Sequence, residues 1–423
     1  MLPAELTGAL NGVRVLALEQ AVALPFATRH LADLGADVIR VQAYDRARAA
    51  ERHNIELTRS KRQVGLNLAA DGGPEAFLRL AAACDIVAHN FTPRVVRKFG
   101  IDYDAVHAVN PEVIYVSLTG FGTTGPWGER PLFGPGAEAV SGHNLLIGDP
   151  DAWPGRPGTG VYADDTCGLY TTMAILAALD HREQTGSGQH IDISLYETMV
   201  AHLGPVLAER SRGGQVGRVL NADAAFALHG VFDARGVDRH VAIAAHEEHL
   251  PAIEEALDLA AVTAESVAAA VALLDANEVE QRLQAAGVPA SIVSDASDNL
   301  TDRHLWARQF FALREVEDGD GTAHYPHLTG VWGGAPGHLV QSPHYVGQDN
   351  QDVMVSVAGL TPEEVERLEK GGAIGTAQPE GSRRTAAEPA RRIERGELSR
   401  VDEAPPRWAD LAEVPRDVEW RPA

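Results

Sequence analysis

Two adjacent carboxylates, Asp164 and Asp165, stand where a glycine- and proline-rich stretch gives way to a long helical pattern. The stretch GFGTTGPWGERPLFGPG, from Gly120 to Gly136, can bring backbone close to a ligand and turn successive amides outward, which suits an anionic or acyl group. The run ADDTCGLYTTMAILAALDHREQTG then reads as a helix that starts near Asp164 or Asp165 and stops at Gly186. Its apolar stripe includes Leu169, Met173, Ile175, Leu176 and Leu179. A carboxylate in that first turn has two readings, a helix cap or a chemical group in a cleft bounded by free amides. Residue types alone leave both open.

Other chemistries find little support. The chain contains no GxxxxGK[ST], HExxH or GxSxG run, and GADVIR is not a GxGxxG fingerprint. His246 and His249 are three apart and could form a metal pair, but no third ligand lies nearby in sequence. Cys84 and Cys167 lack a CxxC spacing, which argues against zinc, iron–sulfur and dithiol redox roles and fits a reducing, intracellular setting. Lys+Arg 36 against Asp+Glu 59 leaves a net charge of −23, which repels nucleic-acid backbones and anionic membranes. Only Lys61, Lys98 and Lys370 are lysines. The N-terminus lacks a basic segment followed by an apolar core, and no apolar run reaches the roughly 18 residues of a membrane span. The expected location is cytoplasmic.

The elements that must position the carboxylates alternate along the first 120 residues. VRVLALE (Val13 to Glu19), ADVIRV (Ala36 to Val41), CDIVAHN and VIYVSLTG (Val113 to Gly120) read as buried strands. Pro25 to Leu34 and PEAFLRLAAA read as helices between them. Continuous apolar strands separated by helices predict an α/β fold with an open, doubly wound, mostly parallel sheet. HGVFDARGVDRHVAIAAHEEH gives two strands flanking a turn, Glu254 to about Ala286 is alanine-rich with helical periodicity, and GVPASIVSD returns to a strand. The expected organisation is residues 1–214 for the N-terminal part of a large domain, 215–325 for a small α+β domain, and 326–376 for a return segment that completes the large one. TPEEVERLEKGG in that segment predicts a helix with Thr361 as cap and Glu364 three positions later. Residues 377–423, rich in arginine and proline, read as an extended or disordered tail.

Several segments together resemble the class III coenzyme A transferases, a group that includes formyl-CoA and carnitine CoA-transferases and, as a divergent branch, alpha-methylacyl-CoA racemase. They are LNGVRVLALEQAVALPFATRHLADLGADVIRV, RSKRQVGLNL, HNFTPRVVRKFGIDYDAVHAVNPEVIYVSLTGFGTTGP and ADDTCGLYTTMAILAALDHREQTGSGQHIDISLYETM, with weaker matches in AAGVPASIV, HYPHLTG and YVGQDNQDVM. They span most of residues 9–375. The resemblance implies a large domain built from both chain ends, a smaller domain between them, and an interlocked homodimer. It implies acyl-CoA:carboxylate CoA-transferase activity with no cofactor beyond coenzyme A itself, which is a substrate, and a small carboxylic acid as the other partner. The family's catalytic aspartate lies four residues before a helix glycine; with Gly168 as anchor, Asp164 takes that role and forms a covalent aspartyl-CoA intermediate.

At the CoA site the resemblance assigns Ala23, Lys98 and Phe99. The family's Ala-Gly-Pro entry turn matches Ala23, Leu24 and Pro25, so leucine replaces glycine. Val22 and Ala43, and Gly134 with Pro135, stand where formyl-CoA transferase has binding residues, which argues against formyl/oxalate specificity. An acyl pocket for a branched or longer acid is expected instead, with Arg130 or Arg182 as candidates for a second carboxylate. The racemase alternative needs a histidine at the position of Phe133, and His143 lies ten residues later. A catalytically idle CoA-binding paralogue is the non-enzyme alternative.

Overall fold

The computed structural model describes residues 8–45, 55–151, 153–157, 161–218, 221, 223–308, 310–317, 322–328 and 343–377. The expected tail, beyond its first residue, lies outside them.

The first half alternates strands and helices: β1 (Arg14–Leu18), α1 (Ala23–Asp33), β2 (Asp37–Gln42), α2 (Ile55–Thr58), β3 (Arg62–Gly65), α3 (Gly73–Ala82), β4 (Ile86–His89), α4 (Pro93–Phe99), α5 (Tyr103–Val109) and β5 (Ile114–Thr119). Then come α6 (Gly134–Ser141), α7 (Tyr162–Thr185), β6 (Gln189–Ser194), α8 (Leu195–Ala201) and α9 (Gly204–Ser211). The six strands form one sheet in the order β3-β2-β1-β4-β5-β6, every neighbouring pair parallel. Strand order reverses between β1 and β4, and such a switch point opens a crevice beyond the carboxyl ends of the two strands.

Side-chain alternation builds a core on each face. Leu16, Leu18, Ile39, Val41, Val87 and Tyr115 pack with α3 on one side, while Val15, Ala17, Val38, Ile86, Val116 and Leu118 pack with α1 and α7 on the other. Cys84 and Cys167 are free and buried in these cores, and burial pushes both thiols up to about 12.

A second unit follows: β7 (Leu228–Asp233), β8 (His240–Ala245), α10 (Leu250–Leu257), α11 (Ala264–Val271), α12 (Ala276–Ala285) and β9 (Ala290–Ile292). Its three strands pair antiparallel as β7-β8-β9 around a separate core that includes Phe232, Val241, Ile253, Val267 and Leu283. The alanine-rich stretch forms three helices, because Asp258 turns left-handed after α10 and the side chains of Thr263 and Asp275 cap α11 and α12. After α13 (Ala296–Thr301) and α14 (Arg303–Ala307), β10 (Phe311–Glu317) and β11 (Thr322–Leu328) pair as a hairpin.

The chain then returns to the large sheet through α15 (Asn350–Ser356) and α16 (Pro362–Lys370). Asp349 accepts from the Gln63 amide at 2.6 Å and Asn350 from the Gly65 amide at 2.9 Å, while Val353, Met354 and Val365 enter the first core. Thr361 and Glu364 form the expected reciprocal cap. Both chain segments therefore build the large α/β body.

The packing face of α7 differs from the expected stripe. Leu169, Met173 and Leu176 are exposed, whereas Ala163, Cys167, Gly168, Thr171, Thr172, Ile175 and Ala178 are buried. Close approach selects the small residues: a Cβ on Gly168 would lie 2.8 Å from the Ala23 carbonyl oxygen and 3.0 Å from the Phe26 ring. That contact sets the beginning of α1 against the beginning of α7. No helix among the described residues is long and apolar enough to cross a membrane.

Candidate active site

The β1–α1 turn is held from two sides. Above the sheet, the Asn90 side chain accepts from the Gln20 amide at 3.0 Å and donates to the Gln20 carbonyl at 2.7 Å, bridging the loops after β1 and β4. Below, Glu19 and Lys61 are both fully buried and meet at 2.7 Å. Lys61 also donates to the Pro25 carbonyl at 2.9 Å and to Thr28 at 2.7 Å, and Arg40 reaches Glu19 at 3.1 Å. Burial pushes the Lys61 ammonium down to about 8 against the opposing pull of Glu19. Ala21 completes the turn in the left-handed region, at φ 55°.

This arrangement brings the first amide of α1 to Asp164, whose charged form the backbone N–H groups of Ala23 and Gly134 favour. Ala23 opens α1, Gly134 opens α6, and Asp164 lies in the first turn of α7, so three helix beginnings converge on one carboxylate. A Cβ at position 134 would sit 1.8 Å from Asp164 Oδ2, which restricts that position to glycine while the carboxylate stays in place. The capping reading of the sequence is corrected here: α7 starts at Tyr162, its cap position is Val161, and no side chain caps it.

Asp164 is 6% exposed. Its carboxyl is pushed up to about 6, first by burial, then by the charges of Asp165 and Glu138, with the two amides pulling the other way. Glu138, fully buried on α6, meets Arg156 at 3.2 Å and accepts weakly from the Ala163 amide at 3.4 Å. Asp165 is half-buried, raised chiefly by its burial and held back by the positive charge of Arg29. Removing that neighbouring charge has a predictable sign. Asp165→Asn should move the ionisation of Asp164 downward, so the acid limb of a kcat/KM profile should shift to lower pH, while an unmoved limb would show that the two carboxylates are not coupled.

Asp164 lines a cavity of about 70 Å³ at the switch point. Its walls come from the loops after β1 (Gln20, Ala21) and β4 (Asn90 to Thr92), from the end of β5 and the glycine that follows (Leu118 to Gly120), from Pro131 to Phe133, and from Ala23 and Leu195. The glycine-rich stretch thus lines the cavity with its two ends, while its middle is tied back by Asp192, which accepts from the Thr123 amide at 2.9 Å. No histidine among the described residues lines this cavity.

Of the residues singled out in the sequence, Asp164 and Ala23 are brought together. Lys98 and Phe99 end α4, the helix that leaves the Asn90 wall; the Lys98 ammonium lies 5.1 Å from the Phe99 ring centroid, and neither residue lines the cavity. Leu24 is fully buried in the core shared by α1 and α7, so its replacement of glycine carries no information about the acyl pocket. Arg182 pairs with Asp85 at 2.8 Å, near the far end of α7 and the opening of β4, and so is removed as a substrate ligand. Arg130 packs its guanidinium 5.5 Å from the Trp127 ring centroid, while Glu129 pairs with Arg97 instead. His143 bonds Ser141 at 3.0 Å, and the His246 amide donates to the His249 ring. Among the described residues no group of three or more His, Cys, Asp or Glu side chains could hold a metal ion. Sequence reasoning missed Glu138, Asn90 and the Glu19–Lys61 pair.

A parallel sheet with a buried carboxylate beside three helix beginnings at its switch point suits an acyl or anionic group, and comparison gives the class. The chain belongs to CoA-transferase family III, whose model matches residues 10–350, and it is a CaiB/BaiF-type CoA-transferase acting on acyl-CoA and carboxylate substrates. It is 30% identical over 396 residues, 85% of this chain and 96% of the relative, to the succinyl-CoA–L-malate CoA-transferase beta subunit of Chloroflexus aurantiacus. It is 33% identical over 341 residues, 72% of this chain and 85% of the relative, to the succinyl-CoA:mesaconate CoA-transferase of Haloarcula marismortui. A CAIB/BAIF family protein from Brucella suis superimposes with a TM-score of 0.74 at 26% identity, covering 83% of this chain and 100% of the other.

Proposed function

We propose that this enzyme transfers coenzyme A from a succinyl-type thioester to a small dicarboxylic acid through an aspartyl-CoA intermediate on Asp164. The observation that carries the reading is the Asp164 carboxylate itself, buried at a cavity beside the helix beginnings at Ala23 and Gly134. An Asp164 oxygen attacks the thioester carbonyl, the C–S bond breaks, and CoA leaves as thiolate from a mixed anhydride. The thiolate attacks the aspartyl carbonyl, which releases the first acid and leaves aspartyl-CoA. The acceptor carboxylate attacks that thioester to form a second anhydride, and the returning thiolate takes the new acyl group and frees Asp164. No water or metal enters the balance.

Two relatives are named for succinyl-CoA as donor and for malate or mesaconate as acceptor, which favours C4 and C5 dicarboxylates over the formyl/oxalate pair. Phe133, on the cavity wall where a racemase needs a histidine, weighs against a two-base racemase. Lys98 and Phe99 fit a role in holding CoA beyond the cavity, Lys98 as a point charge for phosphate. A homodimer is part of the same reading: Phe133, Leu145, Leu169 and Met173 leave large apolar side chains 49 to 62% exposed on the α6–α7 side, a face that suits a second copy. Sedimentation of the full chain should then give twice the 45.1 kDa of one chain.

A matrix of acyl-CoA donors against mono- and dicarboxylic acids of three to eight carbons tests the substrate reading. Succinyl-CoA with a C4 or C5 dicarboxylate should give the fastest exchange with little free CoA. Formyl-CoA with oxalate as the best pair by a wide margin would contradict it.

A further inference from the structure

Thr119 is the last residue of β5, lies on the cavity wall with Asp164, and is 5% exposed. Its hydroxyl oxygen is closed off from solvent and has no hydrogen-bond partner among the described residues. Two serine hydroxyls beside it on the sheet are engaged. Ser117 bonds His89 and His190 at 3.0 Å each, and Ser194, paired with Thr119 across the strands, donates to the Gly120 carbonyl at 3.3 Å and accepts from the Glu197 amide at 3.2 Å.

A buried hydroxyl without a partner destabilises the fold, a cost that valine, of nearly the same shape and better suited to a strand, would not carry. The orphan therefore calls for a partner that the described residues do not supply. One χ1 step exchanges the methyl and hydroxyl positions of a threonine, so the hydroxyl can meet a group that enters the cavity. A substrate oxygen brought to Asp164 supplies an acceptor in the cavity that Thr119 also lines.

We infer that Thr119 is a substrate-binding residue whose hydroxyl donates a hydrogen bond to the acyl oxygen of the group being transferred at Asp164. The inference rests on the transferase reading above and extends it to a donor for the oxygen on which charge develops during attack. As a donor to a charged oxygen, the hydroxyl should be worth about 10- to 100-fold in rate.

Thr119→Val and Thr119→Ser separate this role from a structural one. With succinyl-CoA and L-malate, Thr119→Val should lose about 10- to 100-fold in kcat/KM, mostly in kcat, and Thr119→Ser should stay within about threefold of the parent. The ligand-free Thr119→Val protein should melt at the same temperature or higher, since an unsatisfied group has been removed. Full activity in Thr119→Val would overturn the inference, and so would a lowered melting temperature with no rescue by serine. If the parent exchanges no succinyl group, the transferase reading fails on its own, and calorimetry with succinate decides this one. Weaker succinate binding by Thr119→Val than by the parent supports the inference, and equal binding overturns it.

Discussion

Asp164→Asn should reduce CoA exchange by about 10³-fold or more, because the nucleophile on which every bond change depends is gone. The same variant should gain stability. An aspartate normally titrates near 3.8, and this one is pushed up to about 6 in the folded protein. As pH rises through that window the unfolded chain releases its proton first, so the folded state loses stability and keeps the loss above pH 6. At 1.36 kcal/mol per pKa unit the full penalty is about 3 kcal/mol. Asparagine leaves one of the two amides facing its own NH2 group, so the net gain at pH 8 should be about 1 to 3 kcal/mol and should vanish below pH 4. Urea unfolding at both pH values checks it. Equal stability of parent and variant at pH 8 would mean that the carboxylate is not held in a costly place.

The second large effect concerns stability alone. Lys61→Met removes one partner of a fully buried ion pair and leaves Glu19 with Arg40 and the Thr28 hydroxyl. Breaking a buried pair from one side typically costs about 3 to 5 kcal/mol, because the remaining charge stays desolvated. The loss should appear as a lower urea midpoint at pH 7. A change within about 0.5 kcal/mol would show that Arg40 alone satisfies Glu19. Replacing both residues, as Glu19→Leu with Lys61→Met, should recover part of the loss.

The sheet was legible because its strands are nearly pure runs of apolar and β-branched residues, bounded by turn formers, and only a sheet covered on both faces buries such runs. Asp164 was singled out by the family resemblance, which anchors it four residues before Gly168, and the fold gives that glycine a physical meaning: it lets the beginning of α1 approach the beginning of α7. The α7 face was misread for the same reason. Leucine and methionine carry the apolar signal, but alanine, glycine and threonine make the close contact, so side-chain size outweighs hydrophobicity there. Glu138, one acid in a short Gly/Ala-rich helix, resembles a solvated residue until Arg156 and the Ala163 amide are seen around it. Glu19 and Lys61 are separated by 42 residues, and Asn90 and Gln20 by 70, so no local pattern could pair them. The role given to Leu24 failed because a position in the first turn of a helix can face the core as readily as the cleft.

Covalent trapping bears most directly on the chemistry proposed for Asp164. The full-length protein would be incubated with succinyl-CoA, quenched with hydroxylamine or borohydride, digested and read by mass spectrometry. The aspartyl-CoA route predicts a hydroxamate or a reduced side chain at Asp164, absent from the Asp164→Asn variant. Modification at Asp165 or Glu138 instead, or steady exchange with Asp164 never modified, would contradict it.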